Sequence, residues 1–398
     1  MEITLIFKLK KEDILKYLDR SIGSFICTYL APIFALKKKR KRTNLNSILL
    51  KNEINILIIK LCCLGDAILL IPSIRNIRRK FKNAKISVLT TYRTSRIFNN
   101  VSYIDKVYEL PKKNFLLKLF FLIRLLKKEK FDLLFNYNPW YNFMILLSLF
   151  LRAKIRIGYF YSGSEKLSNF YDFSVEYTEN KHVVLTYLDL LKIIGIEYKD
   201  SYLEFFFDPK AELFATEYFF KNKFKQPVIA IFPGSSKGWA LKRWPLSNYS
   251  KLADKLIYEL GADVILLSGN EENLANIIMN GMKYKPYTLS EKIDIFRLAS
   301  IISKCSLLIV GDTAPMHIAA SVKTPIVAIF SSVSPVPYHP WMDKDRYKIV
   351  RNDIPCSPCT KFGNMKPCLY EFKCIRGIGV DEVFQATKDI LMKIYNIK

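Results

Sequence analysis

Two α/β domains, each a doubly wound parallel sheet, are what this sequence predicts, and three observations lead there. The chain has 398 residues, half of them hydrophobic, which is too long for one ordinary core. Short apolar runs alternate with amphipathic stretches, the pattern of βαβ units. These runs form two series, with a linker and leading helix expected around Asp208 to Gln226.

The first series is INILIIK from Ile54, ISVLTT from Ile86, FDLLFNY from Phe131 and KIRIGYF from Lys154. Within it, NFLLKLFFLIRLLKKEK, Asn114 to Lys130, reads as an ordinary buried helix, although its basic and apolar makeup also suits contact with a lipid-linked glycan. The second series is VIAIFPG from Val228, ADVILLSG from Ala262, SLLIVGD from Ser306 and PIVAIF from Pro325, with helices predicted at Ser247 to Leu260 and Ile295 to Cys305. Val380 to Tyr395 reads as a closing helix. In facing domains of this kind, ligands bind beyond the carboxyl ends of the strands, in the crevice between them.

Ahead of the first series, Ile14 to Leu36 places Ile14, Leu18, Ile22, Phe25, Ile26, Tyr29 and Ile33 at steps of three or four, one apolar stripe on a helix. KKKRKR follows, Lys37 to Arg42. The apolar run is too short to span a bilayer, and Asp19, Arg20 and Pro32 interrupt it. An interfacial helix with a polybasic tail on an anionic membrane fits better, the alternative being a helix docked on the protein itself. The expected organisation is therefore a membrane-associating segment 1–45, an N-terminal domain 46–208, a C-terminal domain 209–379 and a closing helix 380–398.

Lys and Arg number 62 against 36 Asp and Glu, so the net charge of +26 attracts phosphate-bearing partners, part of the excess being lysines spread over solvated faces. No nucleic-acid motif accompanies the charge, and a nucleic-acid partner is not expected. Of the eight cysteines, Cys27, Cys62, Cys63 and Cys305 sit in apolar contexts. With no signal peptide of the usual layout and ample core, a cytosolic, reducing location is expected. Cys356, Cys359, Cys368 and Cys374 lie close together and could bind a structural zinc, form a disulfide or remain free thiols.

Three strand ends carry candidate chemistry. In KLCCLGDAILLIPSIRNIRR, from Lys60, Gly65 suits a tight turn and Asp66 opens a helix facing the crevice; Asp at a helix start is also a favoured N-cap. In IFPGSSKGWALKRWPLSNYSKLADKL, from Ile231, a loop rich in Gly and Ser precedes Lys242 and Arg243, which sit at a helix start. In VGDTAPMHIAASVKTPIVAIF, from Val310, a strand ends at Asp312. A helix begins at once, offering the amides of Thr313, Ala314 and Met316 to an anion. His317, one of three histidines, lies on that first turn. Between these motifs, Glu271 and Glu272 open a further helix, where an acid can accept from ribose hydroxyls. Asp343 and Asp345 form an Asp-x-Asp in a charged stretch and read as surface.

The LGD followed by Pro72, the KRWP string and the DTAPMH string together resemble glycosyltransferase family 9, the heptosyltransferases of lipopolysaccharide synthesis, over about residues 54 to 395. Ala314 departs from that family's glycine. The resemblance implies a GT-B fold of two Rossmann-like domains facing across a cleft. It implies a catalytic Asp66 on the N-terminal acceptor domain and a nucleotide-sugar site at Ser235, Ser236, Lys242, Glu272 and Asp312 to His317 on the donor domain. It further implies inversion in one displacement with no catalytic metal or required cofactor, and a donor that is ADP-heptose in the family's usual case. The acceptor would be a lipopolysaccharide-type or other membrane-borne glycan, with the enzyme peripheral on the inner face of the cytoplasmic membrane. An epimerase or hydrolase of the same fold, and a noncatalytic membrane-associated binding protein, are the alternatives.

Overall fold

A computed structural model describes residues 19, 23–40, 45–61, 63–139, 141–235, 242–268, 273–289, 293–360 and 367–395. The chain divides into two compact units, Met1–Cys63 with Ser73–Thr178 and Leu185–Asp200, and Leu64–Pro72 with Glu179–Val184 and Ser201–Lys398.

In the first unit, strands β1 (Asn55–Ile59), β2 (Lys85–Thr91), β3 (Lys106–Leu110), β4 (Phe131–Asn136), β5 (Ala153–Phe160) and β6 (Phe173–Glu176) form a sheet in the order β3-β2-β1-β4-β5-β6. Every pairing in it is parallel. The second unit repeats the plan with β7 (Val228–Phe232), β8 (Asp263–Leu266), β9 (Tyr287–Thr288), β10 (Leu307–Gly311), β11 (Ile326–Ile329) and β12 (Tyr347–Val350), ordered β12-β11-β10-β7-β8-β9 and again all parallel. The inner strands read as continuous apolar runs because helices cover both faces; β4 and β7 are buried at every residue.

The four strands that the sequence pattern did not reveal, β3, β6, β9 and β12, are the four sheet edges. An edge strand is half solvated and mixes charges into its run, as KVYEL and YKIV do, so no continuous apolar signal marks it.

Each sheet reverses its strand order once, between β1 and β4 and between β7 and β10. Such switch points leave a crevice at the carboxyl ends of the strands. The LGD string follows β1, and the KRWP and DTAPMH strings follow β7 and β10. A buried Trp244 fixes the KRWP string: its Nε1 donates to the Ile378 carbonyl at 3.0 Å, and its ring meets Tyr249 edge-on at 5.0 Å.

The N-terminal helix runs Ser24–Arg40, and the predicted stripe residues Ile14, Leu18 and Ile22 lie outside the described residues. Cys27 and Ala31 bury one face against Ile145, Leu167 and Phe170, with the Phe34 and Phe170 rings 5.2 Å apart. Asp19 accepts from the amides of Asn142, at 3.2 Å, and Phe143, at 2.6 Å, at the start of the helix Asn142–Leu149. The helix is therefore docked, but through a different face from the stripe: Phe25, Ile26, Tyr29 and Ile33 are all exposed. Apolar residues on both faces replace the simple amphipathic pattern expected there. Among the described residues, no helix is long and apolar enough to cross a membrane.

Candidate active site

The pocket of interest lies in the second unit, at the β7/β10 switch point. Pro233, Gly234 and Ser235 line it from the end of β7, Gly311, Asp312 and Thr313 from the end of β10, and Lys242 and Arg243 from the KRWP string. Lys242 Nζ sits 3.2 Å from Asp312 Oδ2, with both side chains mostly buried. Arg243 Nη2 donates to Ser235 Oγ at 3.3 Å. Two cations thus converge on a loop and a helix start, the arrangement that recognises a doubly charged phosphate group.

The helix Ala314–Ser321 begins directly after β10 with Thr313 as its extended N-cap residue, and Pro315 occupies its first turn. Thr313 Oγ1 caps no helix amide and instead reaches the Gly311 carbonyl at 3.4 Å. Met316, expected among the free donors, is engaged: its N–H bonds the Thr313 carbonyl at 3.0 Å, and its side chain is fully buried. Proline having no N–H, the amides of Thr313 and Ala314 are the ones this turn presents.

His317 is 5% exposed, and among the described residues its Nδ1 has no hydrogen-bond partner. Burial lowers its pKa, the charges of Asp312 and Asp66 pull the other way, and His339 adds to the lowering. A neutral imidazole with an unpaired ring nitrogen is an uncommon buried group, because an unmade hydrogen bond of this kind costs about 1–3 kcal/mol.

Gly65 brings the turn that holds Asp66 close against this imidazole. Its φ is not in the left-handed region, where Cys63 stands at 70°, so the tight-turn role expected of Gly65 falls to Cys63 instead. What Gly65 provides is closeness. A Cβ there would lie 2.6 Å from His317 Cδ2, 3.4 Å from His317 Nε2 and 3.7 Å from Ala314 Cα. The opening turn of the helix Leu64–Lys80 thus packs directly on the helix start that follows β10. Asp66, in that turn, is half-buried, and Leu64–Pro72 groups with the second unit.

Two histidines that the motifs did not single out join this neighbourhood. His182 stacks on Trp341, centroids 4.4 Å apart, and its Nε2 meets the His339 carbonyl at 3.0 Å. Burial first, then the charges of His339 and His317, push its pKa down to about 2. The three histidines of the chain are therefore electrostatically coupled, a relation between residues 182, 317 and 339 that no local string carries. Lys60, at the end of β1, was also missed: it is buried, donating to the Tyr187 hydroxyl at 2.7 Å and the Tyr137 carbonyl at 3.2 Å.

Ser236 and Glu272 lie outside the described residues. Asp343 and Asp345 are exposed, and Asp345 pairs with Lys393, in keeping with a surface role. Cys356, Cys359, Cys368 and Cys374 are free thiols. Burial, then the charges of Cys359, Cys368 and Cys356, raise the Cys374 pKa. Among the described residues, no group of three or more His, Cys, Asp or Glu is placed to hold a metal, so the zinc set considered from spacing is not assembled.

Comparison with known proteins agrees with the family resemblance. The sequence profile of glycosyltransferase family 9 (heptosyltransferase) matches residues 119–369. Lipooligosaccharide heptosyltransferase 2 of Campylobacter jejuni is 27% identical over 82% of this chain and 95% of its own length. Lipopolysaccharide heptosyltransferase 3 of Escherichia coli is 27% identical over 70% of this chain and 83% of its own. Among solved structures, a family 9 glycosyl transferase from Veillonella parvula shares the fold with a TM-score of 0.73 and 21% identity, covering 85% of this chain and 98% of that one. The E. coli ADP-heptose lipopolysaccharide heptosyltransferase II shares it with a TM-score of 0.66 and 18% identity, over 85% and 99% of the two chains.

Proposed function

The chain belongs to glycosyltransferase family 9, with the GT-B fold, and we propose that it transfers heptose from ADP-heptose to a lipopolysaccharide-type acceptor. One observation carries the reading. At the β7/β10 switch point, Lys242, Arg243 and Thr313 line a pocket at the start of the helix Ala314–Ser321, and beside it a neutral His317, whose Nδ1 has no partner among the described residues, abuts the turn that holds Asp66.

The chemistry follows from the two needs of sugar transfer. A sugar hydroxyl is a weak nucleophile at neutral pH, so a base must take its proton as the bond to the anomeric carbon forms. Asp66 is that base. The departing diphosphate gains negative charge, and Lys242, His317 and the amides before Met316 stabilise it. Before the donor binds, Asp312 holds Lys242 in place; the incoming diphosphate then shares that cation. Displacement is in-line and inverting and uses no catalytic metal, as the family resemblance implies. Ser235 and Ser236 line the donor site, and Glu272 accepts from the ribose. Residues 46–208 form the acceptor domain and 209–379 the donor domain, closed by 380–398. The segment 1–45 holds the enzyme on the inner face of the cytoplasmic membrane, where the acceptor is made.

A calorimetric screen of ADP, UDP, GDP and CDP tests the reading, with ADP expected to bind tightest. Release of ADP from ADP-heptose should require an acceptor. If none of the nucleotides binds, the reading fails; if release is equally fast without acceptor, the protein is a hydrolase.

A further inference from the structure

The helix Phe115–Glu129 is not the buried helix its sequence suggests. Leu119 and Leu126 are buried in the core of the first unit, and Phe115, Leu122 and Ile123 pack half-buried against it. Leu116 is 81% exposed, Leu117 61%, Phe120 59%, Phe121 57% and Leu125 45%. At 100° per residue these five positions share one half of the helix, opposite the buried pair. Contiguous apolar surface of this kind marks an interaction site.

The charges select the partner. Arg124, Lys127 and Lys128 fall on the same half, Lys118 at its margin, and Lys112 and Lys113 just before the helix; all six are exposed. The one acid of the helix, Glu129, faces elsewhere, held by Lys85 at 2.7 Å, Tyr108 at 2.7 Å and Lys106 at 3.2 Å. Apolar side chains rimmed by long cationic ones match a leaflet with an acyl interior beneath anionic headgroups, since the stems of Lys and Arg can lie along the apolar layer while their charges stay at headgroup level.

The packing extends this face. Met144 and Leu147 of the helix Asn142–Leu149 share the core of Leu119 and Leu126, while Ile145 of the same short helix packs on Cys27 and Ala31. The exposed Tyr29 and Ile33 thus belong to a helix one position along in the same layer. We propose that the exposed face of Phe115–Glu129 inserts into the surface of an anionic lipid bilayer, as a second membrane contact separate from residues 1–45. The inference shares with the proposed function only the assumption of a membrane-borne acceptor.

The test uses the full chain carrying Phe121→Trp on vesicles of phosphatidylethanolamine and phosphatidylglycerol with brominated acyl chains. The added fluorescence should be quenched, and Phe120→Ser with Phe121→Ser should lower vesicle partitioning at least about tenfold, the scale set by removing two large apolar side chains from a buried site. ADP binding should be unchanged. A protein that floats with these vesicles while the tryptophan at 121 stays unquenched overturns the inference and leaves the role of residues 1–45 standing. Quenching at 121 but not in a Tyr29→Trp variant upholds it and removes the N-terminal contact. No binding to anionic vesicles, or a dimer that the double serine variant dissociates without any lipid binding, also overturns it.

Discussion

Replacing Gly65 by alanine isolates the contact on which the site depends. The new methyl carbon would stand 2.6 Å from His317 Cδ2, whereas carbon atoms pack at about 3.5–4.0 Å. Roughly 1 Å of movement must therefore come from the buried imidazole or from the turn carrying Asp66. Overpacking of this size costs about 1–3 kcal/mol, and a displacement near 1 Å at reacting groups lowers the rate about a hundredfold. Helix propensity acts in the opposite direction, because alanine within a helix is more stable than glycine by about 0.5–1 kcal/mol. The two effects thus differ in sign. Gly65→Ala should unfold at lower denaturant and lose heptosyl transfer, and ADP affinity should fall to the extent that the imidazole is the group displaced. Adding His317→Ala should restore the stability and not the activity. A Gly65→Ala protein that is more stable than the parent and fully active would refute the reasoning.

Lys242→Met should weaken ADP binding by about 1.5–3 kcal/mol, the range for a hydrogen bond to a charged group, as read by calorimetry; an unchanged affinity would remove Lys242 from the donor site. His182 gives a prediction in pH. The unfolded imidazole takes up a proton below about pH 6.5, while the folded one, pushed down to about 2 by burial and then by its histidine neighbours, does not. The unfolded state therefore binds more protons, and stability falls as pH drops below 6.5, by up to about 1.4 kcal/mol per pH unit from this group. Urea unfolding of His182→Gln between pH 7 and 4 should show a shallower decline than the parent; equal slopes would contradict the assignment.

The inner strands and the three strand-end strings were legible because each signal is local: a buried parallel strand is a continuous apolar run, and a strand end followed at once by a helix start is written in consecutive residues. What escaped depends on neighbours distant in sequence. The edge strands carry polar residues because half their surface meets water. Helix Phe115–Glu129 has apolar residues nearly all round, a pattern that normally means burial, and only its packing tells which of them are covered. Gly65 was visible as a glycine, but its reason is His317, some 250 positions on. The Met316 amide is a local exception: it donates to the Thr313 carbonyl three residues back, a turn geometry that the string DTAPMH does not display.

The central claim is that Asp66 serves the acceptor while the pocket after β7 and β10 holds the nucleotide. Heptosyl transfer and ADP binding by Asp66→Asn, measured side by side with the parent, test it most directly. The account predicts ADP affinity within about twofold of the parent and a loss of transfer of at least about a hundredfold, the low end of what general base catalysis supplies. Full transfer activity in Asp66→Asn would contradict it.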